Sequence, residues 1–182
     1  MNKDGVPLLA LLVACQPSTQ AAATADTTLS QSPAYRFLSE RGVSSDSNEV
    51  IRARLPYDSI SLKRDPCFGT CPQDEATLYR DSRARYVGIR FVDNIGTYQG
   101  HVSLQDYARL CYMLDRLGYM TLPDSFAAPY TDQPTLTLTA HRTPGGLKSV
   151  RDYGPIGPVE LWSLRELMIA VTGKIQWEKT SE

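Results

Sequence analysis

Between Ile60 and Val102 the sequence runs through four short stretches in which apolar and polar residues alternate. Ile60 and Leu62 alternate with Ser61 and Lys63, and Ala76 and Leu78 with Thr77 and Tyr79. Val87, Ile89 and Phe91 then alternate with Tyr86, Gly88 and Arg90, and Thr97 to Val102 forms the fourth stretch, with Tyr98 and Val102 on one side. A period of two is that of a half-buried strand, with Val87, Ile89 and Phe91 expected to face inward. The turn residues Asp81-Ser82 and Asp93-Asn94 with Gly96 leave too little chain for a parallel crossover, which takes a dozen or more residues. The expectation is a four-stranded antiparallel meander.

The periodicity then changes. Ser103 is placed to cap a helix, with Asp106 three residues on. Leu104, Tyr107, Leu110, Leu114 and Leu117 follow at spacings of three and four, and Gly118 stops the run. Cys111 lies beside that stripe and is expected to be a buried, inert cysteine. After a Pro-rich loop from Pro123 to Pro134, Thr135 to Ala140 alternates again, and Pro144-Gly145-Gly146 turns the chain into a partner strand, Leu147 to Asp152. Pro158 opens a last helix with a stripe of Leu161, Leu164, Met168 and Val171, closed by Gly173. The fold class is therefore α+β: a mainly antiparallel sheet, a meander plus a hairpin, with two helices on one face in the order ββββαββα. A single domain is expected over 55–176, with 177–182 as a tail.

With 182 residues, 42% of them hydrophobic, the chain can build one core. Its 19 basic and 20 acidic residues nearly cancel, which argues against a nucleic-acid partner. No apolar run approaches the roughly 20 residues of a membrane-spanning helix. His101 and His141 are the only histidines, each at the end of an expected strand, so histidine-based constellations have little to draw on. There is no Gly-x-Ser-x-Gly elbow, no His-Glu-x-x-His and no phosphate-cradling glycine loop. Catalytic residues, cofactors and metals are therefore not expected, although catalytic groups can meet in space without a sequence signature.

The N-terminus reads as an export signal over 1–14. Lys3 supplies a positive charge, and Val6 to Ala14 is an apolar run of about nine residues, the length of a signal-peptide core. Leu12-Val13-Ala14-Cys15 resembles a bacterial lipobox. That resemblance implies acylation of Cys15 and attachment to a membrane by more than one acyl chain, each buried CH₂ contributing about 0.8 kcal/mol. Gln16 lacks the acidic character associated with inner-membrane retention, which points to the outer membrane, facing the periplasm. Residues 15–54 read as a tether of Ala, Thr, Ser and Gln, carrying one short helix at 33–41 between Ser32-Pro33 and Gly42.

Between the first two strands lies Asp65-Pro66-Cys67-Phe68-Gly69-Thr70-Cys71-Pro72. A Cys-x-x-x-Cys spacing across a tight loop brings two Cβ atoms within bonding range, and Gly69 permits a positive φ. A structural disulfide between Cys67 and Cys71 is the leading reading; a redox-active pair and a zinc site are the alternatives. The redox reading lacks the helix N-terminus that lowers a thiol pKa, and the zinc reading lacks a second close-spaced ligand pair. Together with Asp152-Tyr153-Gly154, the Pro-Cys-Phe-Gly-Thr-Cys-Pro loop between two strands resembles a bacterial family of domains of unknown function, DUF6438. Its members are often secreted or lipid-anchored, which implies an envelope location and this fold but no activity.

The alternation offers a candidate binding face, with an ordinary solvated face of strand-favouring residues as the commoner reading. Tyr79, Tyr86 and Arg90 would point away from the helices as a Tyr/Arg surface of the kind enriched in recognition patches. Asp152 and Tyr153 end a strand and lead into the last helix, where a carboxylate could hold a ligand or cap the helix. The functional expectation is a lipid-anchored, non-catalytic envelope module that binds an envelope protein or a cell-wall component. A periplasmic thiol–disulfide or stress-related enzyme using Cys67 and Cys71 is the alternative.

Overall fold

The computed structural model describes residues 48–180. The export signal, Cys15, the tether up to residue 47 with its helix at 33–41, and the last two residues of the tail lie outside the described residues. The alternating segments form strands β1 (Tyr57–Asp65), β2 (Gln73–Tyr79), β3 (Arg83–Arg90) and β4 (Gly96–His101), each pairing antiparallel with the next. The capped helix follows as α2 (Leu104–Arg116), after a short first helix α1 (Asn48–Arg54). Strands β5 (Ser125–Ala127), β6 (Thr135–Arg142) and β7 (Gly146–Tyr153) come next, then α3 (Val159–Thr172) and β8 (Glu178–Lys179). One eight-stranded open sheet results, in the order β5-β7-β6-β1-β2-β3-β4-β8. All neighbours are antiparallel except β5 and β7.

The fold is α+β and mainly antiparallel, as the periodicity predicts, but the order ββββαββα needs three corrections. α1 precedes the meander and buries no side chain, so no apolar stripe announces it. It is held instead by Arg52, whose guanidinium donates to the carbonyls of Arg80 (3.1 Å) and Val102 (2.8 Å). β5 and β8 have three and two residues, too few for any period, and each exists because a longer strand offers an edge. The last of these lies in the segment read from sequence as a tail.

The hairpin and the meander meet in the middle of the sheet. β6 joins the hairpin to the meander through β1, so that Ile60 lies between Leu78 and Ala140, and Leu62 between Ala76 and Leu138. These side chains share one phase and one core with Leu110 and Leu114 of α2 and Leu164 and Met168 of α3. Ser103 caps α2 by accepting from the Asp106 amide at 3.0 Å, and Gly118 beyond its end takes φ 59°. The opposite phase, with Lys63, Arg83, Arg85 and Arg151, stays in solvent.

In β3 the expected phase is reversed. Ala84 and Gly88 are buried with half-buried Tyr86 between them, while Ile89 is 58% exposed. Tyr86 sits opposite Ala76 and so shares the core phase. Side chains alternate strictly, so the pairing of β3 with β2 decides which set turns inward, and it favours the tyrosine over the aliphatic residues.

Candidate functional site

Arg64 on β1 and Asp74 on β2 face each other across the ladder in the same phase as Ile60 and Leu62. Asp74 is 4% exposed. Arg64 Nε donates to Asp74 Oδ1 at 2.6 Å, Arg64 Nη2 donates to Oδ2, and the Tyr86 hydroxyl donates to the same Oδ2 at 2.8 Å. The two-pronged pairing is the strong, planar form of the Arg–carboxylate contact. Burial, and after it the hydrogen bond to Asp74, pushes the Tyr86 phenol well up, so the phenol stays neutral and donates. The hydrogen bond to Asp74 likewise raises Arg64.

This network floors a cleft of about 460 Å³ lined by Tyr86, Phe91, Asp93, Asn94 and Trp177 among others. Trp177 comes from the chain after α3, packs on Tyr86 with ring centroids 5.4 Å apart, and donates its indole N–H to the Thr172 carbonyl at 3.1 Å. The rim is the turn between β3 and β4. That turn folds back so closely that a Cβ on Gly88 would fall 1.8 Å from the Asn94 carbonyl oxygen; only glycine fits there. Phe91 sits at φ 56°, a left-handed conformation that a bulky side chain rarely adopts. Strain of this kind concentrates at ligand clamps and active sites.

The residues singled out in the sequence do not form one surface. Tyr79 lies on the open face under the Arg83 guanidinium (5.1 Å), whereas Tyr86 lies on the helix side. Arg90 is exposed at the end of β3, stacked over Phe91 at 4.5 Å. Asp152 is buried and accepts from the amides of Ile156 and Gly157, both at 3.1 Å, fixing the turn before α3. The Tyr153 hydroxyl accepts from the Gln133 amide at 3.3 Å, and Arg151 lies over its ring. Both therefore serve the junction between β7 and α3. His101 contacts the Ser82 hydroxyl and His141 contacts Asp58, each at 3.3 Å and neither in the cleft. Cys111 is buried in α2.

Cys67 and Cys71 are joined in a disulfide, with Cα atoms 5.7 Å apart, and Phe68 between them is 88% exposed. The loop it closes is about five residues long, worth roughly 2 kcal/mol on the chain-entropy account. It runs directly into Pro72, itself part of the cleft wall, so the disulfide braces the entry to β2. Arg64, Asp74 and Trp177 were not singled out in the sequence. The available signal was a charged residue standing in the apolar phase on each of two paired strands.

The family pattern described as a domain of unknown function (DUF6438) matches residues 58–172, well over half of the chain. The chain belongs to DUF6438. No curated protein matches it. The DUF6438 match takes in the stapled loop, Arg64, Asp74, Tyr86 and the rim turn, and stops before Trp177.

Proposed function

We propose that this DUF6438 chain is a non-catalytic binding module of the bacterial cell envelope, anchored through lipid on Cys15 and facing the periplasm from the outer membrane. The lipobox-like Leu12-Val13-Ala14-Cys15 and the Cys67–Cys71 disulfide, a bond favoured in oxidising compartments, support the location. The observation that carries the binding role is the Arg64–Asp74–Tyr86 network turned toward an open aromatic cleft. A buried ion pair is a weak source of stability, and apolar residues would often serve the fold as well. Its place at the floor of a cleft gives it a second use as a rigid polar platform. Asp74 accepts three hydrogen bonds and Tyr86 is held neutral, which suits holding a ligand better than moving a proton.

The test is a photo-reactive phenylalanine analogue at Asp93, on the rim of the cleft, cross-linked in intact cells, with the same label at Tyr79 as a control. The expected result is a discrete adduct from position 93 alone; adducts from position 79 and none from position 93 would move the binding surface to the open face. Mass spectrometry of the purified mature protein should find diacylglycerol on Cys15, and an unmodified initiator methionine would remove the anchor.

A further inference from the structure

We propose that the cleft takes a neutral sugar unit of a glycan, with the ring seated against Trp177 and Phe91 and its hydroxyls on Arg64 and Asn94. This rests on the reading of the cleft as a binding site. At about 460 Å³ it is near the lower end of small-molecule sites, with room for one or two rings.

The chemistry of the lining weighs against the other simple ligand classes. Arg64 spends Nε and Nη2 on Asp74 and also interacts with the Tyr86 hydroxyl. The side chain is 26% exposed, so part of the guanidinium is within reach of a ligand. The positive charge, however, is already matched by Asp74, and Asp93 adds a second carboxylate to the lining. An anion would therefore meet net negative charge. A cation would be drawn by the carboxylates but would meet the Arg64 guanidinium between them, so choline is the competing ligand that the test includes. A wholly apolar ligand would leave the exposed part of the guanidinium and the Asn94 amide unpaired, which costs about 1–3 kcal/mol per group. An extended peptide would want a strand edge, and β8 already occupies that of β4 through Tyr98↔Lys179 and Gln99↔Glu178.

A sugar ring satisfies every one of these conditions. It carries no charge, it has an apolar C–H face for an indole or phenyl ring, and its rim of hydroxyls both donates and accepts. Trp177 is fixed for that task by its N–H to Thr172 and its packing on Tyr86. Phe91 is fixed by a backbone conformation that the fold imposes rather than one the residue prefers.

The test uses the full chain in a detergent free of sugar and choline head groups, with a β-1,4-linked N-acetylglucosamine trisaccharide as the probe. Trp162 and Trp177 are the only tryptophans, and Trp162 stands half-exposed in the first turn of α3, so Trp162→Phe leaves Trp177 as the reporter. The expected result is a saturable change in Trp177 emission with a dissociation constant around 1 mM. Asn94→Ala and Phe91→Ala, both checked for native circular dichroism, should each weaken it about tenfold. No change at about 20 mM trisaccharide, some twenty times that constant, overturns the proposal. So does a response to choline or to acetate in place of the sugar. If the cross-link from position 93 forms while the sugar gives no response, the sugar assignment falls and the binding reading stands. If neither appears, both fall.

Discussion

Arg64 and Asp74 lie directly opposite each other on neighbouring strands, bonded from Nε to Oδ1 at 2.6 Å, in a row continued by Leu136 and Gly88 and next to the row of Leu138, Leu62 and Ala76. Each charge is tolerable only because of the other. Asp74→Leu should therefore cost about 2–4 kcal/mol, since it strands the guanidinium and deprives Tyr86 of its acceptor. Arg64 is partly solvated, which keeps the figure at the lower side of what a fully buried pair would lose. The double replacement Arg64→Leu with Asp74→Leu should recover most of that loss. Urea unfolding of the four corners of this cycle measures it; a double variant as unstable as the sum of the singles would show that the pair does not act as a unit.

Four tyrosines give the fold a predictable response to alkali. Tyr57, Tyr107 and Tyr119 are fully buried and Tyr86 is half-buried, and burial raises all four phenols above their ordinary value of 10.0. The unfolded chain loses these protons near pH 10 while the native chain keeps them. The stabilisation is complete below that pH and is lost as pH rises toward the native values, by up to about 1.4 kcal/mol per pH unit for each phenol. Urea midpoints between pH 8 and 11 should be flat and then fall steeply. Tyr119→Phe should flatten the alkaline limb by about a quarter, and a limb unchanged in that variant would remove Tyr119 from the account.

How much of this could be read from the chain depends on whether local pattern or tertiary context decides each residue's place. The meander, the hairpin and both long helices are legible because Ile60/Leu62, Ala76/Leu78 and the α2 stripe repeat at the period of their own element. The phase of β3 is not. Val87, Ile89 and Phe91 have the stronger apolar pattern, yet Tyr86 turns inward because Trp177, ninety-one residues away, supplies its packing partner. The cleft was hidden for the same reason: its floor pairs β1 with β2, its rim is a turn, and its aromatic wall arrives from beyond α3. Asp74 in phase with Ala76 and Leu78, opposite Arg64 in phase with Leu62, was the one local clue to it.

The segment after α3 is held against β4 by a close approach that only glycine allows. A Cβ on Gly100 would lie 2.5 Å from Ile175 Cγ2 and 2.9 Å from the Gln176 carbonyl oxygen. Gly100→Ala should push that segment off the sheet, at a cost of about 1–3 kcal/mol. In a Trp162→Phe background the remaining indole should shift to the red as Trp177 leaves Tyr86. Emission unchanged from the parent would mean that the segment accommodates the methyl group without lifting.

Phe91 separates what the fold wants from what the cleft wants. At φ 56° any side chain with a Cβ loses about 1–2 kcal/mol relative to glycine, whereas the benzyl group recovers some of that by packing, being 39% exposed with Arg90 above it. Comparing Phe91→Gly with Phe91→Ala removes the packing from both sides of the comparison. Phe91→Gly should be the more stable of the two by about 1 kcal/mol in urea unfolding, after allowing for the greater freedom of glycine in the unfolded chain. Both should lose the sugar response equally, because the missing ring, and not the backbone, makes the cleft wall. An alanine variant at least as stable as the glycine one would show that the left-handed turn carries no strain, and the strain argument for the cleft would go with it.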